Sequence, residues 1–368
     1  MDNRKIRVAI THGDTNGIGY EVILRAFEDP MMLDMCTPII YGSPKVATFH
    51  RKSMGIETQF TIIKDAEEAK DGRVNLLATF DEEVPVEFGK PTAESDHAAK
   101  LALARAKEDM QKHLFDVLVL GPVVPNPNPN PNDKALTIML SDRVRIGLLT
   151  THLPIKDVAQ AISTEKIVEK GKIFNTSLKR DFRINNPRIA ILALNPQPGT
   201  EEEQIIAPAV AELEKQNIQA FGPYAAEEFF ANNYHEEFFA NNYHEEFDGV
   251  LAMYDDQGLL PFNSLAPEFG VKLKAGITAI CTTTDHGPSF EIAGQGIADA
   301  TSLRQAVYTA VDMYRHRQEY DEPLANPLPK LYHEKREDGD KARFQMPRAK
   351  DLFKKADKPE KPEPKNEE

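Results

Sequence analysis

Two segments of the chain stop an apolar run at side chains able to carry protons or hold a cation. In residues 248–258, DGVLAMYDDQG, the run 250–253 ends at Tyr254, Asp255, Asp256 and Gln257; in residues 144–154, VRIGLLTTHLP, it ends at Thr150, Thr151 and His152. Carboxylate and imidazole groups serve both as general acids or bases and as metal ligands. A buried strand of an open α/β sheet delivers whatever follows it to the carboxyl edge, where ligands bind. Either segment alone is equally a strand with an inert polar turn, but two of one design favour a site.

A third candidate is the glycine-rich turn at residues 11–21, THGDTNGIGYE, which opens a helix through 22–27. Glycines allow close backbone approach, and a helix N-terminus offers free N–H groups to an anion. The spacing is not GxGxxG and no Gly-Lys-Ser/Thr follows, so neither the dinucleotide fingerprint nor the P-loop is matched. A purely structural strand-to-helix turn explains it as well.

The elements that must position these groups read as an alternation. Strand-like runs at 6–10, 38–41, 117–120, 144–150, 189–194 and 250–253 are separated by helical patterns such as 92–113 and 204–216. This predicts parallel βα units, hence an α/β protein with one or two doubly wound, parallel-rich sheets. Residues 302–317 carry Leu303, Ala306, Val307, Ala310, Val311 and Tyr314 at helical spacing, a core-facing stripe. At 368 residues with 41% hydrophobic content, the chain is long enough for two lobes.

A formal charge of −14 argues against a nucleic-acid surface, though not against a small anion held by local groups. Two cysteines, Cys36 and Cys281, make neither a disulfide framework nor a thiolate metal site, and suit the reducing cytoplasm. The apolar run at 8–10 is too short for a signal peptide, and no stretch has the length of a membrane helix, so no membrane partner is expected. Residues 125–132, PNPNPNPN, lack every second backbone donor and predict an extended connector. The unit EEFFANNYH occurs twice between 227 and 247; its His235 and His244 read as copies of one exposed residue rather than ligands. Residues 334–368 are too charged to offset the entropy of ordering.

Taken in order, GDTNGIG, LLTTHLP, ALNPQPG, FGPYAA, DGVLAMYDDQG and DHGPSFEIAGQGIAD resemble the 4-hydroxythreonine-4-phosphate dehydrogenase family of vitamin B6 biosynthesis, over most of residues 5–317. The resemblance implies a two-lobed α/β/α fold like that of isocitrate and isopropylmalate dehydrogenases. Residues 1–135, completed by 286–333, would form one lobe and 136–285 the other, ahead of the tail at 334–368. It implies a homodimer with active sites at the subunit interface, NAD and a divalent metal (Zn, Mg, Mn or Co) as cofactors, and a small phosphorylated substrate. The secondary alcohol of 4-phosphooxy-threonine would be oxidised, and the β-keto acid formed would lose CO2; a divalent ion suits both steps. Carried over by position, Gly17, Gly19 and Asn195 fall to cofactor binding and Asp256 and His286 to catalysis. An N-terminal helix position for Asp256, and a polar contact beside Gly287 for His286, are the structural alternatives.

The departures from the family pattern fall at its ligand positions. Its three metal-binding histidines correspond to His152, Gln197 and Asp255, which would leave a weakened, more oxygen-rich site favouring Mg or Mn. Its substrate-binding lysine, asparagine and arginine correspond to Asn263, Lys272 and Cys281, and a His-Thr loop is replaced by residues 121–132. Losing lysine and arginine opposite a phosphate removes charge-assisted hydrogen bonds, of which Lys272 restores one, so no full cationic phosphate site is expected. Two readings follow: an active dehydrogenase with a rearranged site, or a catalytically inactive or engineered protein of the family fold that acts as a scaffold or binding module. Replacements concentrated at ligand positions favour the second.

Overall fold

The computed structural model describes residues 4–80, 84–124, 134–231, 246–266 and 270–326. Among these lie strands β1 (Ile6–Thr11), β2 (Cys36–Gly42), β3 (Phe60–Ile63), β4 (Val74–Ala78), β5 (Val117–Leu120), β6 (Leu136–Leu140), β7 (Arg145–Leu148), β8 (Arg188–Leu192), β9 (Gln219–Tyr224), β10 (Gly249–Ala252), β11 (Val271–Ala275) and β12 (Ile280–Thr284). They pair into one sheet in the order β3-β4-β2-β1-β5-β12-β11-β6-β7-β10-β8-β9. The expected α/β class and parallel-rich sheet are present. Antiparallel pairing is confined to the middle, where β11 runs against β12 and β6, and β6 against β7.

Burial explains which strands the apolar runs reveal. β2 and β10 are buried at every position, as parallel strands covered on both faces must be. β11 instead alternates, with Val271, Leu273 and Ala275 buried and Lys272 and Lys274 half-buried on the other face. Its VKLKA sequence, like the ICTTT of β12, lacks an uninterrupted apolar run, and neither was expected as a strand.

The helices are α1 (Gly19–Ala26), α2 (Pro30–Met35), α3 (Pro44–Ser53), α4 (Ala93–Gln111), α5 (Ile155–Val158), α6 (Thr164–Arg180), α7 (Ala207–Lys215), α8 (Ala226–Ala231), α9 (Asp255–Leu265) and α10 (Thr301–Ala325). Thr92 starts α4 with a reciprocal capping box to Ser95, and Ser163 caps α6 by accepting from the Lys166 backbone N–H. In α10 the stripe Leu303, Ala306, Val307, Ala310 and Val311 is buried, as its spacing predicted. Residues Met1–Leu324 form one compact unit, and Ala325–Glu368 is assigned apart from it. The PNPNPNPN segment, His235, His244 and the tail 334–368 lie outside the described residues.

Candidate active site

The two segments that end in polar clusters are brought side by side. β7 and β10 are parallel neighbours with Ile146 opposite Val250 and Leu148 opposite Ala252. Past their ends, the Leu149 N–H donates to the Ala252 carbonyl at 2.9 Å and the Thr150 hydroxyl to the Met253 carbonyl at 2.7 Å. His152 takes a left-handed backbone conformation, φ +57°, uncommon for a residue with a side chain. Its N–H is held by the Asp255 carboxylate at 2.5 Å, and the same oxygen lies 3.9 Å from its Nδ1. Gln257 fixes the start of α9 from within: its side chain accepts from the Met253 N–H at 2.7 Å and donates to the Ala193 carbonyl at 2.6 Å. Gly258 lets α9 lie against β7, since a Cβ there would stand 2.5 Å from the Leu148 side chain.

These groups border a cleft of about 620 Å³ whose opposite wall is basic. Lys272 and Lys274 project from the same face of β11, and Lys166 and Lys170 stand one turn apart on α6. Each ammonium donates to a neutral oxygen: Lys272 to the Asp285 carbonyl at 2.8 Å, Lys274 to the Thr137 hydroxyl at 2.8 Å, Lys170 to the Ala135 carbonyl at 2.6 Å and Lys166 to the Ala161 carbonyl at 3.0 Å. Burial draws Lys272 below the ordinary lysine pKa, partly opposed by the charges of Asp285 and Asp255, and burial lowers Lys166 as well. Among the described residues the lining carries four lysines and two carboxylates, Asp157 and Asp255. The described lining is therefore net positive in a chain of charge −14.

Lysines beyond the one expected, Lys272, therefore border the cleft, at positions that the family pattern does not assign to the phosphate. Lys166, Lys170 and Lys274 were missed because the family pattern looks for its charges at Asn263 and Cys281. Their signals were local: two lysines at period two in VKLKA and two at period four in TEKIVEK. Asn263 is exposed on α9, outside the cleft lining. Cys281 is buried in β12 against the cluster that contains Ala9 and Leu118, where burial pushes its thiol up to about 11. Neither presents a polar group to the cleft.

Of the residues that the resemblance assigns to a metal, His152 and Asp255 meet, whereas Gln197 is exposed on its loop and does not line the cleft. No three His, Cys, Asp or Glu side chains converge as a cation site among the described residues. With one Asp255 oxygen held by a backbone N–H and four ammonium groups lining the same space, the donors that this subunit gathers do not fit a divalent ion.

The remaining candidates lie elsewhere. Asp256 is exposed in the first turn of α9, the position that its structural alternative anticipates. His286 is half-buried, with Nδ1 3.0 Å from the Gly287 carbonyl and Nε2 without a hydrogen-bond partner among the described residues. It follows directly after Asp285, whose carbonyl anchors Lys272. Asn195 has its side-chain amide engaged by Glu201 and Glu202. Gly17 and Gly19 are buried, and a Cβ on them would stand 2.6 Å from the Pro288 carbonyl and 1.9 Å from the His12 carbonyl. What approaches these glycines is the protein's own backbone, so the turn does not fit the role of a nucleotide cradle.

Residues 34–126 and 130–310 match the family model of the pyridoxal phosphate biosynthetic protein PdxA. The chain is 44% identical to the 4-hydroxythreonine-4-phosphate dehydrogenase of Bacteroides thetaiotaomicron, across 94% of this chain and 98% of that protein. It is 31% identical to the enzyme of the same name from Sulfurihydrogenibium sp., across 85% of this chain and 99% of that one. Among solved structures, the 4-hydroxythreonine-4-phosphate dehydrogenase of Burkholderia phymatum matches with a TM-score of 0.67 at 27% identity, covering 84% of this chain and 99% of that one.

Proposed function

The chain belongs to the pyridoxal phosphate biosynthetic protein PdxA family, and from that membership we propose that it oxidises the secondary alcohol of 4-phosphooxy-threonine, with NAD as hydride acceptor, the β-keto acid formed then losing CO2. The observation that carries the proposal is the 44% identity over nearly the whole chain to a protein named for this activity. The relatives give no support to an inactive scaffold over this reading.

The cleft suits such a substrate. Its lysines can hold a phosphate and a carboxylate, and an oxyanion developing at the oxidised carbon would find positive charge already in place. Asp255 acts as a positioning residue: by holding the His152 backbone it keeps the imidazole at the cleft, where it can take the proton of the reacting hydroxyl. No role in the reaction is assigned to a divalent ion, because the donors do not fit one. For NAD the glycine turn offers no cradle, so its binding residues are sought outside residues 11–19.

We propose a homodimer working in the cytoplasm. No helix among the described residues is long and apolar enough to cross a membrane. We also retain the two-lobed division; strand order supports it for β1 to β5 on one side of the sheet and β6 to β11 on the other, with β12 (280–284) lying beside β5 and so on the side of the first lobe rather than within 136–285.

The test is NADH formation by the full chain with 4-phosphooxy-threonine. Turnover that falls at least a hundredfold in His152→Ala is expected. No NADH formation by the unmodified chain, with or without added Mg, Mn or Zn, would refute the proposal.

A further inference from the structure

At the end of β7 away from His152, a second cavity of about 270 Å³ lies where Arg145 begins the strand. It is walled by the turn between β6 and β7, by Phe182 just past α6, and by one face of α10. The Arg145 guanidinium lies 4.9 Å from the centre of the Phe182 ring. Burial draws Arg145 below the ordinary arginine pKa, opposed by the charges of Asp248 and Asp142. Yet among the described residues neither carboxylate reaches it as an ion pair, and no oxygen accepts from its five N–H groups. Arg317, which meets the same wall through Asp181, shows the ordinary arrangement: it donates to the Asp181 carboxylate at 2.5 Å and to the Thr278 carbonyl at 2.8 Å. The desolvation of a buried cation is normally offset by such a partner, so the lone guanidinium at a cavity wall is the exception to explain.

The cavity also carries an acceptor side. Asp142, exposed on the turn, has no ion pair among the described residues. The other two carboxylates of the lining are engaged, Asp181 by Arg317 and the Ser177 hydroxyl and Asp312 by Arg315 at 3.4 Å. His316 has Nδ1 2.7 Å from the Asp181 carbonyl; a carbonyl only accepts, so Nδ1 carries the proton and Nε2 of the neutral ring is an acceptor. Leu140, Val271 and Met313 supply an apolar part. One unpaired cation and one unpaired anion that border a small space without meeting match a ligand that carries both charges. We propose that this cavity binds a free α-amino acid with an apolar side chain. The guanidinium fork takes the α-carboxylate in two parallel N–H···O bonds, Asp142 and His316 Nε2 accept from the α-ammonium, and the side chain packs on Phe182 and Met313. The volume confines the ligand to the small end of ordinary binding pockets.

Nothing in this inference rests on the dehydrogenase reading, and the probe is L-leucine. Calorimetric titration of the full chain should show saturable leucine binding at concentrations up to about 10 mM. L-Leucinamide, in which a neutral amide replaces the carboxylate, and 4-methylpentanoate, which lacks the ammonium, should each bind at least tenfold more weakly. Arg145→Gln should weaken leucine at least tenfold and Asp142→Asn, on an exposed turn, severalfold, whereas Lys272→Met in the cleft beyond His152 should leave leucine affinity unchanged. Absence of leucine binding by the unmodified chain overturns the proposal. So does leucinamide or 4-methylpentanoate binding as tightly as leucine, whether or not the variants fold. Binding lost in Lys272→Met but kept in a folded Arg145→Gln would place the amino acid in the other cleft and overturns it as well.

Discussion

The glycine turn after β1 and the basic cleft beside β7 are both placed where an α/β sheet offers sites, yet one is closed upon itself and the other is open. In the turn, Asp14 accepts from the Asn16 N–H at 2.8 Å and the Ser95 hydroxyl at 3.1 Å, while the Asn16 side chain bonds the Lys90 carbonyl and the Glu87 N–H. The Ile18 N–H at the start of α1 donates to the Pro288 carbonyl at 3.0 Å. Beneath it His12 stacks on Tyr20 at 4.9 Å, and His50 lies 5.2 Å from the same ring. The carboxylate, the amide and the helix N-terminus of the turn are here satisfied by the chain, while both His12 ring nitrogens, His50 Nδ1 and the Thr15 hydroxyl are buried without a hydrogen-bond partner among the described residues. In the cleft, by contrast, donors converge on space. Residue types suggest a site, but partners decide whether one is available.

The sharpest way to break this contrast is to add one methyl group to the turn. Gly19→Ala places a Cβ at 1.9 Å from the His12 carbonyl, a backbone atom that cannot swing aside. We expect a loss of about 3 kcal/mol or more in chemical denaturation. A near-neutral result would mean that the turn is loose enough to admit a ligand.

Acid should distinguish the regions next. Burial lowers both His12 and His50 from 6.5 to about 4, with the Thr15 carbonyl opposing the shift at His50. Between those values the unfolded chain binds more protons than the folded one, so these groups add stability that is complete above about pH 6.5 and is lost as pH falls toward 4. Two and a half units at each site correspond to about 3 kcal/mol apiece at full extent. Urea midpoints should fall between pH 7 and pH 5, and His12→Phe should flatten the slope. A slope unchanged in that variant would show that His12 does not stay neutral in the fold.

In the cleft the expected cost lies in binding. Lys272→Met removes one charge-assisted hydrogen bond, worth about 1.5–3 kcal/mol, or about 10- to 150-fold in affinity for an anionic substrate. Since Lys272 is half-buried with its ammonium partly desolvated, the melting temperature should move little or rise. Lost stability with intact binding would make Lys272 part of the scaffold.

Much of this is legible in the amino-acid sequence. The runs at 6–10, 38–41, 117–120 and 250–253 are strands because parallel strands buried on both faces need uninterrupted apolar sequence, and His152 and Asp255 meet because β7 and β10 are neighbours. What stayed hidden has one physical cause. β11 has one polar face, where Lys272 and Lys274 interrupt its apolar residues, and β12 carries Thr282 and Thr284 buried and Thr283 half-buried, so neither strand presents an uninterrupted apolar run. The lysines went with them. Cys281 could be placed by position against a family pattern, but only packing reveals that it faces Ala9 and Leu118.

The smallest expected effect completes the comparison. Gly287 follows His286 on the segment whose next residue, Pro288, closes over the glycine turn, yet a Cβ there would meet nothing within 4 Å. Its backbone is not left-handed, so alanine adds no strain and removes some freedom from the unfolded chain. Gly287→Ala should therefore leave stability within about 0.5 kcal/mol or raise it slightly, while Gly17→Ala, with a Cβ 2.6 Å from the Pro288 carbonyl, should destabilise clearly. If Gly287→Ala leaves stability intact but lowers turnover, the open space at Gly287 belongs to a ligand, and cofactor binding would be sought there rather than at the closed glycines of the turn.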